Sequence, residues 1–191
     1  LPITFVRAPI VSKIGSVNNE ATPAIGFAYL SGYLKKFGYE PVLVDAIGEG
    51  LNQVWPLKKY PGFQAQGLNF EEIINRIPKD SKVIGFSLMF SSEWPLVRDL
   101  LMEARKYFPN ALFVGGGEHV TGLTEYSLRD CSALDVCVRG EGEQTFFELI
   151  KAYEKTGSFK GLSGISYLDE DKVFHQEQSP PPRIRKIDEI G

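Results

Sequence analysis

Short apolar runs alternate along this chain with segments whose apolar residues recur every three or four positions. The apolar runs have the length of β-strands, and the segments between them have the periodicity of helices that bury one face. Such alternation predicts parallel strands, because each helix returns the chain to the same edge of the sheet. The sequence therefore predicts an α/β fold in which helices cover both faces of a parallel sheet.

Five strands are predicted in this sheet, at residues 3–6, 41–45, 82–89, 111–114 and 135–138. The pattern is typical of a flavodoxin-like or Rossmann-like doubly wound sheet with the strand order 2-1-3-4-5. Two further segments, at residues 164–168 and 172–176, alternate around a short acidic turn. They predict a C-terminal β-hairpin.

Two long segments have the composition or the irregularity of loops. Residues 7–21 are rich in Ser, Asn and Gly, and residues 49–68 show no clear period. The first helix is predicted to begin after Thr22 as its N-cap residue, with a proline at the first helical position. Asn69 and Glu72 have the spacing of a capping box that opens a later, short helix.

These patterns divide the chain into three predicted parts. Residues 1–157 form the main domain, residues 158–178 carry the hairpin, and residues 179–191 form a linker. Three consecutive prolines near the start of the linker favour an extended chain. We expect the linker to lead to a further domain beyond the printed sequence.

Composition argues against several classes of partner. The formal net charge is −3 and basic residues are scattered, which argues against nucleic acid binding. No apolar run approaches the ~20 residues needed to cross a bilayer, and the N-terminus has no signal-peptide pattern, so we expect no membrane partner. Cys131 and Cys137 lack the spacing of a metal motif, which predicts no metal site and favours a reducing, cytoplasmic setting.

Ligands of open parallel sheets bind at the carboxyl ends of the strands, and four of those ends are unusual here. The first strand ends in the long loop of residues 7–21, and the other three ends stand out by their residues. They carry Ser87, Leu88 and Met89, then Gly115, Gly116, Gly117, Glu118, His119 and Thr121, and finally Arg139, Gly140, Glu141 and Gly142. Consecutive glycines let a ligand approach the backbone more closely than a Cβ would permit, and a nearby hydroxyl offers one directed hydrogen bond. These ends predict a narrow groove for an elongated, partly aromatic ligand.

At these positions the chain resembles the cobalamin-binding domain of class B, cobalamin-dependent radical S-adenosylmethionine enzymes, which are related to the anaerobic magnesium-protoporphyrin ester cyclase. The family pattern Gly-Gly-x-His-x-Thr is matched from Gly116 to Thr121. Its second pattern, which contains Gly-Glu-Gly-Glu-x-Thr-Phe, is matched within the segment from Asp135 to Phe146. The resemblance extends over nearly the whole chain.

The resemblance implies that the ligand is cobalamin, bound with its dimethylbenzimidazole detached from cobalt and its nucleotide tail buried in the domain. It places Ser87 against the tail and Gly116 and Gly117 beside it. The thirteen strand-end residues named above are the predicted cofactor-binding residues. No catalytic residue is expected in this chain.

One departure concerns the ligand of cobalt. Cobalamin domains of methionine synthase and the mutases supply a histidine from an Asp-x-His-x-x-Gly motif after the first strand, but residues 7–21 contain no histidine. Asp45 has the Asp and Gly spacing of this motif, but it follows the second strand and Ile47 stands at the histidine position. We therefore expect cobalt to have no histidine ligand. For His119, a cofactor or loop contact, ligation of cobalt and a structural role all stay open.

The resemblance also implies that the parent enzyme carries an iron–sulfur cluster and S-adenosylmethionine in a following domain. The Cys-x-x-x-Cys-x-x-Cys motif of that domain is absent from this chain, so the chain alone is predicted to be inactive. Its expected role is to hold cobalamin toward the radical S-adenosylmethionine domain of a methyltransferase or cyclase. Two alternatives stay open: a flavodoxin-like module that binds FMN or a nucleotide, and a degenerate scaffold without cofactor.

Overall fold

A computed structural model describes residues 1–16 and 22–178. The end of the predicted first loop, residues 17–21, and the predicted linker, residues 179–191, lie outside the described residues. In chain order the elements are β1 (Ile3–Arg7), β2 (Ile10–Lys13), α1 (Ile25–Lys35), β3 (Val42–Asp45), α2 (Ala46–Glu49), β4 (Val54–Pro56), β5 (Phe63–Gln66), α3 (Phe70–Arg76), β6 (Val83–Ser87), α4 (Trp94–Tyr107), β7 (Leu112–Gly116), α5 (Glu118–Gly122), α6 (Thr124–Asp130), β8 (Val136–Val138), α7 (Glu143–Thr156), β9 (Ile165–Leu168) and β10 (Phe174–Gln176). Within the described ranges, no helix has the length and apolar character needed to span a bilayer.

The main sheet has seven strands in the order β10-β9-β8-β7-β6-β1-β3. Strands β3, β1, β6, β7 and β8 are parallel, which confirms the predicted order 2-1-3-4-5. The predicted hairpin, β9 and β10, continues the sheet because β9 pairs antiparallel with β8. Ile165 and Tyr167 of β9 share a hydrophobic core with Val136 and Val138 of β8.

Side chains of successive strand residues point to opposite faces, and each face has its own core. On one face, Ile84, Phe86 and Phe113 cluster with apolar residues of α3 and α4. On the other face, Phe5 and Val114 cluster with apolar residues of α1 and α7. The sheet is therefore covered by helices on both sides, as the alternation of the sequence predicts.

A second, three-stranded antiparallel sheet lies in the two segments predicted to be loops, so that expectation is wrong there. Its order is β2-β5-β4. Ala65 of β5 is buried in a cluster with Leu57 and with Leu96 of α4, and the Tyr60 hydroxyl donates to Asp99 of α4 at 2.8 Å. Strands of three or four residues are too short to show a period, and these are stabilised by contact with a distant helix.

The start of α1 also differs from the prediction. The helix begins at Ile25, and its N-cap residue, Ala24, makes no side-chain hydrogen bond. Thr22 is instead bound by Arg7, which donates to its carbonyl oxygen at 2.6 Å and to its hydroxyl at 3.3 Å. By contrast, the capping box of α3 is confirmed.

Candidate functional site

A cavity of about 880 Å³ opens at the carboxyl ends of the parallel strands. It lies between the sheet and the helices α1 and α7, and its volume is within the range of roughly 300–1,000 Å³ that is typical of ligand sites. The sheet contributes Phe5, Gly85, Ser87, Val114 and Gly116 to its lining, and the two helices contribute Leu30 and Phe146.

The cavity exists because the strand residues that face it at this edge are small. Ser87 of β6 follows Phe86, whose side chain points to the opposite, filled face. Gly85, on the same face as Ser87, is covered by the Phe5 ring, which a Cβ there would meet at 2.8 Å. Ser87 is the register partner of Gly116 in β7, which continues two residues beyond its predicted end. Because large and small residues alternate in step with the pleat, space remains on one face only.

The three consecutive glycines have three different surroundings. A Cβ at Gly115 would lie 2.6 Å from the Leu88 Cδ1, on the filled face. A Cβ at Gly116 would meet nothing within 4 Å, in agreement with its place in the cavity lining. Gly117 has a φ of +124°, and its Cβ would lie 2.5 Å from the Leu88 carbonyl oxygen. Gly116 therefore keeps the cavity open, whereas Gly115 and Gly117 permit close packing at the strand end.

Few polar side chains reach the cavity. The Ser87 hydroxyl makes no hydrogen bond within the described part of the chain. Among residues 1–16 and 22–178, Arg7 is the one basic residue in the lining, and its guanidinium lies 3.5 Å from an Asp45 carboxylate oxygen. Three glutamates, at positions 93, 118 and 143, also belong to the lining. The described lining therefore combines many apolar residues with one cationic and three acidic residues.

Seven of the predicted cofactor-binding residues line the cavity: Ser87, Met89, Gly116, Gly117, Glu118, Gly140 and Gly142. Six others are outside the lining: Leu88, Gly115, His119, Thr121, Arg139 and Glu141. The Thr121 hydroxyl donates to the Gly117 carbonyl oxygen at 2.9 Å and accepts from the Gly140 N–H at 3.1 Å. It thereby joins two strand-end loops that line the cavity.

Arg139 binds the end of the hairpin. Its guanidinium donates to the carbonyl oxygens of Glu177 and Gln178, the latter at 3.1 Å. Burial lowers the pKa of Arg139 from its usual value. These contacts give the side chain partners within the protein, at the same edge of the sheet as the cavity.

His119 is buried, and both of its ring nitrogens have partners within the protein. Nδ1 lies 2.8 Å from the Ser91 hydroxyl, and Nε2 lies 3.2 Å from the Ser127 hydroxyl. The ring stacks on Trp94 with 4.8 Å between centroids. Burial lowers the pKa of His119 below its usual value, so the ring is neutral at neutral pH.

The lowered pKa of His119 predicts a loss of stability in acid. In the unfolded chain a histidine takes up its proton near pH 6.5, whereas folded His119 resists it to a lower pH. Its contribution to stability is therefore complete above about pH 6.5 and is lost as the pH falls toward the folded pKa. The free energies of unfolding of wild type and His119→Phe are compared by urea unfolding from about pH 7.5 to about pH 5, a range that brackets the usual histidine pKa. The difference between the two proteins should shrink in acid. The slope is at most about 1.4 kcal/mol per pH unit. A difference that does not change with pH would contradict this account.

The lining also includes residues that the motifs did not indicate. Ile10 and Val11 come from β2, and Ile25 and Phe27 come from α1. The residues after β1 could have been found from the sequence, because ligands of parallel sheets bind at the carboxyl ends of the strands and this rule applies to the first strand as it does to Ser87. The position of the α1 residues depends on how the helix packs on the sheet, which no local pattern specifies.

Comparison with known proteins decides the family. A family model described as the B12 binding domain matches residues 13–150, about three quarters of the chain. The chain belongs to the B12-binding domain family. This B12-binding domain is 30% identical over 191 residues to an uncharacterized methyltransferase of Pyrococcus horikoshii, covering 100% of this chain and 37% of that protein. It is 28% identical over 172 residues to the anaerobic magnesium-protoporphyrin IX monomethyl ester cyclase of Cereibacter sphaeroides, covering 88% of this chain and 25% of the cyclase.

A solved structure shares the fold of the B12-binding domain. The cobalamin-dependent S-adenosylmethionine radical enzyme OxsB, with aqua-cobalamin and S-adenosylmethionine bound, matches with a TM-score of 0.70 at 20% identity. The match covers 97% of this chain and 23% of OxsB. These matches confirm the family resemblance found in the motifs. The B12-binding domain spans less than two fifths of the curated relatives it matches.

Proposed function

We propose that this B12-binding domain holds cobalamin in the cavity between the sheet and helices α1 and α7, with the nucleotide tail buried and detached from cobalt. The observation that carries the proposal is the open space over Ser87 and Gly116, which is bounded on one side by the aromatic side chains of Phe5 and Phe146. A flat benzimidazole needs such a narrow apolar space, and an unpaired hydroxyl at its edge offers one hydrogen bond.

One residue of the described lining, Arg7, offers a cationic partner for the tail of cobalamin, in a lining that also holds three glutamates. That tail contains one phosphodiester, and Arg7 is the basic residue of the described lining. Its guanidinium is held in place by Thr22 and Asp45, so little side-chain entropy is lost when an anion binds. We expect Arg7 to face the phosphodiester and Ser87 to bond to the base or ribose.

We further propose that cobalt receives no histidine from this chain. The sequence has two histidines, and both lie outside the cavity lining. His119 uses both nitrogens on serines, while His175 lies 2.7 Å from Asp169 in the hairpin and stacks on Tyr167. After β1, where other cobalamin domains supply a histidine, the lining residues described before residue 17 are the apolar Ala8, Ile10 and Val11.

When bound, cobalamin supplies a cobalt centre that can carry a methyl group or change its oxidation state. The residues of this chain bind that group, orient it and leave one edge of the cavity open. We propose that they present it to a following radical S-adenosylmethionine domain that carries an iron–sulfur cluster. Under this proposal residues 1–157 are the cobalamin-binding domain, residues 158–178 add the hairpin and residues 179–191 are the linker. The proposal is supported by the share of the relatives that the chain spans.

The proposed binding is tested with the 191-residue chain and hydroxocobalamin. We expect a stoichiometric complex by absorption titration, with cobinamide, which lacks the nucleotide tail, binding at least about tenfold more weakly. FMN in place of the corrinoid tests the flavodoxin-like alternative and should not bind. Equal affinities for cobalamin and cobinamide would contradict burial of the tail. If neither compound forms a complex, the proposed binding is wrong.

The ligand of cobalt is tested by the EPR spectrum of the reduced, Co(II) complex. We expect no nitrogen superhyperfine splitting, because neither the benzimidazole nor a histidine is bound below cobalt. A splitting that persists when the protein is labelled with ¹⁵N would show that the benzimidazole is still coordinated. A splitting that changes with the label would identify a protein nitrogen and contradict the absence of a histidine ligand.

A further inference from the structure

We infer that His119 is a positioning residue, which fixes the β6–α4 loop (residues 88–93) as a wall of the cavity and so slows release of the cofactor without touching it. The inference rests on the proposed function, since it concerns how firmly that site holds its ligand. The β6–α4 loop contributes Met89, Phe90, Ser92 and Glu93 to the cavity lining.

Beyond Leu88, which is buried in the core, the β6–α4 loop has little apolar packing to hold it. Met89 is 43% exposed and Phe90 is 60% exposed. Such apolar side chains at the rim of a cavity gain burial only when a ligand is present. The position of the loop after Leu88 therefore depends on other contacts.

Those contacts come from the end of β7 and from His119. The Leu88 N–H donates to the Gly116 carbonyl oxygen at 2.7 Å, and the His119 N–H donates to the Leu88 carbonyl oxygen at 3.1 Å. Further along the loop, the Ser91 hydroxyl lies 2.8 Å from His119 Nδ1. His119 thus binds the loop twice, through its backbone and through its ring.

The neighbouring hydrogen bonds determine the tautomer of His119. The Ser127 hydroxyl donates its single proton to the Leu123 carbonyl oxygen at 2.8 Å, so it accepts from His119 Nε2. The proton of the neutral ring therefore resides on Nε2. Nδ1 is left as an acceptor, and the Ser91 hydroxyl donates to it. Every polar group in this set is satisfied, which makes the arrangement rigid.

The ring also fixes the first turn of the helix that follows the loop. Trp94, at the start of α4, stacks on His119, and its indole N–H donates to the Asp130 carboxylate at 2.9 Å. His119 therefore contacts the start of the β6–α4 loop through its backbone N–H, the middle of the loop through Nδ1, and the first residue of α4 through its ring. Loss of its Nδ1 acceptor should release Ser91 and let Met89 and Phe90 leave the cavity wall.

The test uses side chains that each reproduce one ring nitrogen. His119→Asn keeps an acceptor at the position of Nδ1, whereas His119→Gln keeps a polar group at the position of Nε2 and leaves Ser91 without a partner. We expect Ser91→Ala and His119→Gln to raise the dissociation rate of hydroxocobalamin about tenfold, and His119→Asn to stay closer to wild type. Ser81→Ala is the matched control, because it removes a buried hydroxyl bonded to Thr4 at 2.8 Å outside the cavity lining.

Three results decide the inference. Amide hydrogen exchange of residues 88–93 in the free protein should speed up in Ser91→Ala and His119→Gln but not in Ser81→Ala. Nitrogen chemical shifts of His119 should report a proton on Nε2. Unchanged dissociation in Ser91→Ala and His119→Gln, or equal acceleration in Ser81→Ala, would overturn it. If wild type does not bind hydroxocobalamin, the proposed function fails, and the exchange of residues 88–93 still decides whether His119 holds the loop.

Discussion

The Gly116→Leu substitution is expected to abolish stoichiometric binding of cobalamin without unfolding the domain. A Cβ at this position meets nothing within 4 Å, so the new side chain enters the cavity beside Ser87 instead of clashing with the protein. The ligand then loses the space over the strand end. We expect the dissociation constant for hydroxocobalamin to rise at least ~100-fold, which corresponds to about 2.7 kcal/mol. Absorption titration measures the affinity, and urea unfolding of the free protein checks the fold.

Gly122→Leu provides the matched control. A Cβ at Gly122 in α5 also meets nothing within 4 Å, but this glycine does not belong to the cavity lining. The control should bind hydroxocobalamin as wild type does. Tight binding by Gly116→Leu would place the ligand elsewhere and would contradict the proposed site.

The Gly117→Ala substitution, one residue further along, should act on stability instead. Gly117 has a φ of +124° and a ψ of 177°, a conformation that is essentially restricted to glycine. A Cβ there would lie 2.5 Å from the Leu88 carbonyl oxygen, which is held by the His119 N–H. Backbone strain of about 1–3 kcal/mol adds to this clash. We expect the free energy of unfolding to fall by about 3 kcal/mol or more.

Gly116→Ala is the control for this second substitution. Its Cβ projects into open space and its φ lies outside the left-handed region, so its stability should stay within about 0.5 kcal/mol of wild type. The free energies of unfolding of wild type, Gly116→Ala and Gly117→Ala are compared by urea unfolding without ligand. If Gly117→Ala unfolds at the wild-type midpoint, the Leu88 backbone can move aside without cost and the close approach has no structural importance.

The main sheet could be predicted from the sequence because each of its central strands is recognisable from a short stretch of neighbouring residues. Each central strand is a continuous apolar run such as residues 82–89, and the helices between strands require a parallel arrangement. The strand-end rule then directs attention to Ser87 and Gly116, which the structure brings together as register partners. The small sheet escaped prediction because its burial depends on α4, about forty residues beyond β4.

The surroundings of individual site residues could not be predicted in the same way. The sequence does not show that Gly115, Gly116 and Gly117 have three different neighbourhoods, because a pleated strand turns successive residues to opposite faces. It also does not pair His119 with Ser91, which is 28 residues away. Whether a strand-end residue faces a ligand or the protein depends on long-range packing. The predicted roles of the residues outside the lining stay predictions until binding is measured.

The hairpin has a consequence for catalysis by a larger protein. Strand β10 runs in the same direction as β8, and Arg139 fastens Glu177 and Gln178 beside the β8–α7 loop, whose Gly140 lines the cavity. Any polypeptide joined after Gln178 therefore starts its path at the rim of the cavity. If a radical S-adenosylmethionine domain follows, as proposed above, attachment at this point would raise its effective concentration at the rim, so weak docking between the two units would suffice.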